Sequence, residues 1–528
     1  MKSLLFVLFL ISFFSIKAEY NLLVYGDIGQ VDIFNSRNPG KLYNNQLKAN
    51  KTVEQATQSV QNLLGEEQYI YEGGKCGLNL KGKPLNLTKQ RYTNFNRLLC
   101  ASNKYIKNSD HITILGDMVY AESKGLPVNR TNLINEEIQQ RLEERTACGM
   151  NWFEDMMENY KNYCPKGTND AHKKLWDSKN HKIGKNFYIL EGNHAFDVNY
   201  KDVSEGIADM STANAYYVGT GLKSQKNIKS HYLHTYPRFI SVEKNGTKLE
   251  FVDINTIILV MLLDADKGKI RTKAEYKEAS SKVYRISKIP SYRSALKYLK
   301  YTFKAINKFT STSHWRIIRS HHPPMNVEGG FNEQKYFWTV KYEGQSLFDL
   351  IKKKNVKIYL ASHHHSGHVL AFPYNQFDNL RTKKLQDNKE KVPTGHCLYH
   401  NPKDFKNNLK NSTLLNTCPD KAPHFTLKEN FNSNKNGYLW IFVAGNSGRE
   451  LDEMEGANKS RSSLVWGRAV PRQYGGVNFR FNRHKFEATF FEVNEKGNNV
   501  EVAYFNFINT NETTSYNIID QEVTNKLK

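Results

Sequence analysis

Seven side chains able to bind metal stand immediately after predicted strands in this 528-residue chain. Tyr20 to Tyr25 is an apolar strand that runs into Gly26-Asp27-Ile28-Gly29. Ile112 to Leu115 repeats the design and ends in Gly116-Asp117, with Tyr120 three residues on. Asn186 to Leu190 leads to Gly192-Asn193-His194, Trp315 to Ile318 to Ser320-His321-His322, and Val356 to Leu360 to Ser362-His363-His364-His365. β-branched and aromatic runs of this length read as buried strands, and a glycine lets the chain turn sharply at their ends. Carboxylate, amide, phenol and neutral imidazole are hard-to-borderline ligands. Seven of them, at Asp27, Asp117, Tyr120, Asn193, His321, His363 and His365, can hold two metal ions with one carboxylate shared. Two metals at close spacing activate water and steady a leaving oxygen, which suits hydrolysis of phosphate esters.

The elements that position these residues alternate strand and helix. Helical patterns occupy 49–64, 132–160, 292–310 and 345–354. That alternation predicts an α/β fold with a largely parallel sheet and all ligand-bearing tips on one edge. Ile257 to Leu263 is a continuous apolar run and reads as a further buried strand, after another at 235–243. Tyr438 to Ala444 is a strand with the polar tip Gly445-Asn446, and 475–508 holds two strands that form a hairpin. Polar, Lys/Asn-rich or Cys-bearing stretches near 65–105, 121–185 and 371–435 read as insertions in one domain spanning 19–528.

Residues 1–18 read as a secretory signal peptide: Lys2, an apolar Leu4 to Phe14 too short to span a bilayer, and Ala18 at the cleavage point. The six cysteines lack zinc-type spacing and predict disulfides. The pairing that closes the shortest loops is 76–100, 148–164 and 397–418, and other connectivities stay open. Sequons at Asn50, Asn86, Asn129, Asn245, Asn411, Asn458 and Asn511 also fit a secreted or lumenal surface. The formal charge of +23 is scattered rather than gathered in an arm or basic helix, so it implies attraction of anionic substrates, not nucleic-acid binding. Stable membrane insertion is not expected of the mature chain, and nothing in the sequence fixes its oligomeric state.

The five blocks, in this order, resemble those of the calcineurin-like metallophosphoesterases, and within them the compact, tartrate-resistant purple acid phosphatases. Ala444-Gly445-Asn446 and Gly475-Gly476 are similar to that branch's C-terminal blocks. The resemblance implies a two-sheet β-sandwich flanked by helices. It implies Fe(III) held by Asp27, Asp117, Tyr120 and His365. Asp117 would bridge to a second divalent ion (Fe, Zn or Mn), held also by Asn193, His321 and His363. His194 would be the catalytic acid. Gly29 stands where most of the superfamily has a ligating His, and Tyr120 supplies the compensating ligand of the purple branch. Three positions depart from the pattern. Ala195 replaces an acid, with Asp197 nearby, Ser362 replaces a Gly, and the downstream substrate His is missing. His322, His364 and His368 are the candidates to contact substrate in its place. The activity implied is a secreted or lumenal acid phosphatase acting on phosphate monoesters of small molecules or proteins. The alternatives are a calcineurin-like phosphodiesterase or protein phosphatase, or a catalytically decayed metal- or phosphate-binding protein.

Overall fold

The apolar runs that end in Gly-Asp, Gly-Asn or Ser-His become the inner strands of two sheets in the computed structural model. It describes residues 19–28, 39–65, 67–72, 75–80, 83–84, 94–117, 138, 153, 156–158, 159–164, 169–179, 182–184, 186–193, 237–283, 290–324, 336–374, 391–392, 397–400, 412–415, 424–429, 437–447, 454–455, 464–468, 474–494 and 496–509. Residues 1–18, Tyr120, His194, Ala195 and Asp197 lie outside the described residues. Among the described residues, no helix is long and apolar enough to cross a membrane.

The strands of the two large sheets are, in chain order, Tyr20–Tyr25 (β1), His111–Ile114 (β2), Phe187–Ile189 (β3), Arg238–Lys244 (β4), Thr247–Ile254 (β5), Trp315–Ser320 (β6), Ile358–Ala361 (β7) and Gly367–Pro373 (β8). They continue as Cys397–His400 (β9), Ser412–Leu415 (β10), His424–Glu429 (β11), Tyr438–Ala444 (β12), Leu464–Arg468 (β13), Gly475–Phe481 (β14), Lys485–Val493 (β15) and Asn499–Asn509 (β16). One sheet runs β11-β16-β15-β14-β1-β2-β3, and the other β10-β9-β13-β8-β12-β7-β6-β5-β4. β1, β2 and β3 are mutually parallel, as are β5, β6, β7 and β12, while most outer strands are antiparallel. The sheets are therefore mixed, and the predicted single ligand-bearing edge is divided between the two of them. The 371–435 stretch is more than a surface insertion, since its strands β9, β10 and β11 extend both sheets.

The layers follow from side-chain alternation, which sends neighbouring residues to opposite sheet faces. Val24, Leu249, Ile317, Leu360, Trp440, Phe442, Phe479 and Phe505 belong to a core between the sheets. A second core joins Val252, Ile318, Tyr359 and Ile441 to the helices Tyr292–Asn307 and Leu347–Lys353. A third joins Leu23, Tyr25 and Ile112 to the helix Asn94–Ala101 and to Tyr160 and Leu175. The result is a two-sheet α/β sandwich with helices on both outer faces.

Three expectations are corrected. The apolar run after Asn255 is a helix, Thr256–Leu262, and not a strand. Asn255 caps it, accepting from the backbone N–H of Ile257 and Ile258, and burial of six of its seven residues erases any helical period. The 475–508 segment holds three strands rather than two, β14 to β16. Cys100 bonds to Cys164, with Cα atoms 5.2 Å apart, which excludes the 76–100 and 148–164 pairing. The helix Asn94–Ala101 packs on the segment around Tyr160, whose hydroxyl donates to the Leu99 carbonyl at 3.0 Å, so tertiary packing overrides loop length.

Candidate metal centre

The C-terminal tips of β1, β2 and β3 are laced together before any site side chain is considered. Leu115 N–H donates to Tyr25 O at 2.8 Å, Asp27 N–H to Gly116 O at 3.3 Å, and Leu190 N–H to Ile114 O at 2.9 Å. On the opposing sheet, Ser362 N–H donates to His321 O at 2.9 Å. These links set Asp27, Asp117 and Asn193 on one side and His321, His363 and His365 on the other.

The backbone at the tips is unusual. Asp27, Asp117 and His363 have φ of 53°, 46° and 72°, in the left-handed region. Such conformations cost about 1–3 kcal/mol for residues other than glycine and concentrate at functional sites. Gly116, at φ 112°, makes the turn before Asp117 possible. Gly192 is required by space: a Cβ there would lie 2.0 Å from Asp117 Oδ1.

The six described candidate ligand residues converge. His321 Nε2 lies 2.8 Å from Asn193 Oδ1, 3.1 Å from Asp117 Oδ2 and 3.3 Å from His363 Nδ1. His363 Nδ1 is 3.0 Å from Asn193 Oδ1. Asp27 accepts from His363 N–H through Oδ2 at 2.7 Å, and its Oδ1 is 4.0 Å from His365 Nε2. Oxygen and nitrogen ligands of one ion, each at about 2.0–2.2 Å, come to lie about 3–4 Å apart, so these separations fit ions placed among them. Asp27, Asp117 and His321 form one group of ligand atoms, and His321, His322 and His363 another, each within 4.8 Å. His321 belongs to both.

Electrostatics fit the same use. Burial pushes the Asp27 carboxyl above its ordinary range, against the opposing pull of His321 and His365. Burial also opposes charge on His321, but the Asp117 carboxylate outweighs it and raises the imidazole pKa. Burial, then the neighbouring His322 and His321, hold His363 well below the usual imidazole range, in the neutral form that can ligate. A cation would relieve the buried carboxylates and displace the His321 proton.

Several supporting residues were not apparent in the sequence. His321 Nδ1 donates to Leu115 O at 2.9 Å and lies 2.9 Å from Ser362 Oγ, which itself donates to Leu115 O at 2.8 Å. Ser362, at a position where the resemblance leads one to expect glycine, therefore helps fix which His321 nitrogen faces Asn193 and Asp117. Ser447 accepts from Gly26 N–H at 3.0 Å and donates to Gly475 O at 2.8 Å, tying the β12 tip to β1 and β14. Asn255 donates to Glu191 at 2.7 Å while capping its helix. An Asn before an apolar run is a capping signal that sequence reading can use.

Asn193, His363 and His365 are partly exposed and form the accessible rim among the described residues. The three proposed substrate contacts are covered. His322 is 1% exposed, His364 5% and His368 1%. His368 packs 6.2 Å from His364 and bonds to Ser366 Oγ at 3.1 Å.

No known protein-family model and no curated protein matches the chain. Among solved structures, it is similar to a purple acid phosphatase isolated from yellow lupin (Lupinus luteus) seeds, at 10% identity and TM-score 0.37 over 93% of this chain and 54% of that one. It is also similar to GAP50, the anchor in the inner membrane complex of Plasmodium, at 11% and 0.36 over 94% and 91%. A third likeness is to PhoD, at 10% and 0.36 over 80% and 69%. The chain spans about half the length of the lupin structure, and likenesses this distant carry no argument about function.

Proposed function

We propose that this chain is a metal-dependent phosphoesterase, and more specifically a secreted or lumenal acid phosphatase that hydrolyses phosphate monoesters. The observation that supports it is the gathering of Asp27, Asp117, Asn193, His321, His363 and His365 from the tips of two facing sheets into one mostly buried cluster. The donor set of carboxylate, amide and imidazole fits a trivalent and a divalent first-row ion.

In this reading Asp27, Asp117, Tyr120 and His365 would hold Fe(III). Asp117 would be shared with a second ion (Fe, Zn or Mn), which Asn193, His321 and His363 would also hold. Such a pair of ions supplies an activated water and charge stabilisation for the leaving oxygen. The protein does the rest. Leu115 and Ser362 fix the His321 ring, and the Asp27 carboxylate anchors the His363 backbone. His194, next in the chain to Asn193, hands a proton to the departing alkoxide. The partly exposed rim gives a phosphorylated small molecule or protein access. The Cys100–Cys164 disulfide supports an oxidising compartment.

The test is hydrolysis of an aryl phosphate by metal-replete protein from pH 4 to 8, best at acidic pH. Turnover of a diester instead would favour a phosphodiesterase, and no turnover a decayed binder. Tyr120→Phe should abolish a visible iron–phenolate band while the fold persists. A wild-type protein that is colourless with oxidised iron bound would refute the Tyr120 assignment. His194→Ala should keep both ions and lose about 10²-fold in turnover. His363→Ala should lose the divalent ion.

A further inference from the structure

We propose that His322 is a third imidazole ligand at the position of the second metal ion, oriented for that role by Thr256. The proposal rests on the two-metal reading above. It gives His322 a different role from substrate contact.

His322 follows the β6 tip directly after His321. Its ring centroid lies 4.2 Å from that of His363 and 4.9 Å from that of His321. A ligating nitrogen from each of the three falls within 4.8 Å of the other two. The ring is held from behind. Thr256 Oγ1 lies 2.7 Å from His322 Nδ1 and also accepts from His322 N–H at 3.3 Å. The hydroxyl thus engages Nδ1, and Nε2 is the ring nitrogen on the side away from that partner. Ligating histidines are usually oriented in this way, by an outer partner on one ring nitrogen while the other meets the metal.

Thr256 is itself fixed. It is fully buried at the first turn of the helix Thr256–Leu262, and Asn255 caps that helix. Asn255 also bonds to Glu191, two residues before Asn193. One short segment thus braces both the imidazole on the β6 side and the amide on the β3 side.

The donor set sharpens the choice of ion. Three imidazoles with one amide oxygen and one shared carboxylate make a nitrogen-rich site. Imidazole suits zinc and iron, whereas oxygen-dominated sites suit manganese and magnesium. The second position should therefore prefer Zn(II) or Fe(II) over Mn(II).

The experiment titrates metal-stripped full-length protein with Zn(II) and Mn(II) by competition against a chromophoric chelator. Wild type, His322→Ala and Thr256→Val are compared, with circular dichroism to check folding. The expected result is two ions per wild-type chain. His322→Ala should weaken the second Zn(II) by about 100-fold or more and narrow the Zn-over-Mn preference. Thr256→Val should weaken it by about tenfold, the lower end of the effect of losing an outer partner. A folded His322→Ala with wild-type affinity at both positions overturns the proposal, even if its KM for an aryl phosphate rises. If His322→Ala does not fold, unchanged affinity in Thr256→Val overturns it. A wild-type chain that binds no ion overturns this proposal and the two-metal reading together. A wild type that binds two ions while both folded variants keep its affinity overturns this proposal and leaves the two-metal reading standing.

Discussion

Arg319→Met should destabilise the protein by about 3 kcal/mol, and the loss should fade as the pH falls. Arg319 is fully buried on β6, two residues before His321. Its guanidinium donates to Asp253 Oδ1 at 2.6 Å and Oδ2 at 3.0 Å, and to Thr113 Oγ1 at 2.8 Å. It also lies over the Phe251 and Tyr188 rings, at 4.6 and 5.1 Å. Removing one partner of a buried ion pair costs about 3–5 kcal/mol, because the other charge stays buried and unpaired. Asp253 keeps Arg238, whose Nε donates at 2.7 Å, so the lower end applies. With m near 3 kcal/mol per molar urea, the unfolding midpoint of chelator-treated protein should fall by about 1 M. Burial alone would raise the Asp253 carboxyl, but the two guanidiniums outweigh it and hold its pKa below the usual range. A depressed folded pKa contributes stability that is complete above the unfolded value, about 3.9, and is lost as pH falls through the folded one. The gap between wild type and Arg319→Met should therefore stay level from pH 7 to about 5 and close below about 4. A loss under about 1 kcal/mol, or a gap that widens in acid, would refute the reasoning.

Three further outcomes follow from particular contacts. Gly192→Ala places a Cβ 2.0 Å from Asp117 Oδ1 and 2.5 Å from its backbone nitrogen. It should fold but lose metal at the shared carboxylate and about 10²-fold in turnover, and full metal content by elemental analysis would count against it. Non-reducing peptide mapping should recover Cys100 joined to Cys164, and Cys164→Ser should cost about 3–4 kcal/mol in urea unfolding; a 76–100 peptide would exclude this linkage. Asn255→Ala removes a helix cap and the partner of Glu191, with an expected loss of about 1–2 kcal/mol, while Asn255→Ser should recover much of it. Equal losses in the two Asn255 variants would show that capping is not what Asn255 provides.

The candidate ligand-bearing tips were legible because each combines a buried strand with a turn residue and a side chain of a metal-binding type. Asp27, Asp117, Asn193, His321, His363 and His365 were found this way, and the structure brings them together. The partition of the tips between two sheets was not legible, since β1 to β3 and β5 to β7 show the same strand-helix alternation. The 257–263 run gave no usable period because nearly all of its residues are buried. Ser362 and Thr256 carried no sequence signal. A serine or threonine gains its meaning here only from the ring nitrogen it meets, Ser362 at His321 and Thr256 at His322.

Backbone strain at the site has to be held in place by the surrounding fold. Asp27, Asp117 and His363 each stand one residue past a Gly or Ser, in a conformation that a free chain seldom adopts. Together they cost on the order of several kcal/mol, and nothing in a strand ladder compensates for it because the ladders have ended. What holds them is the lacing of the tips and the packing behind. Leu115 O receives both His321 and Ser362, Gly26 is bound by Ser447, and Arg319 ties β6 to β2 through Thr113. The Arg319 contact joins opposite sheets two residues behind His321 and four behind Asp117, which are 3.1 Å apart at the site. The spacing of the two sheets thus sets the separation of those two candidate ligands, and the core between the sheets is part of the candidate site's geometry.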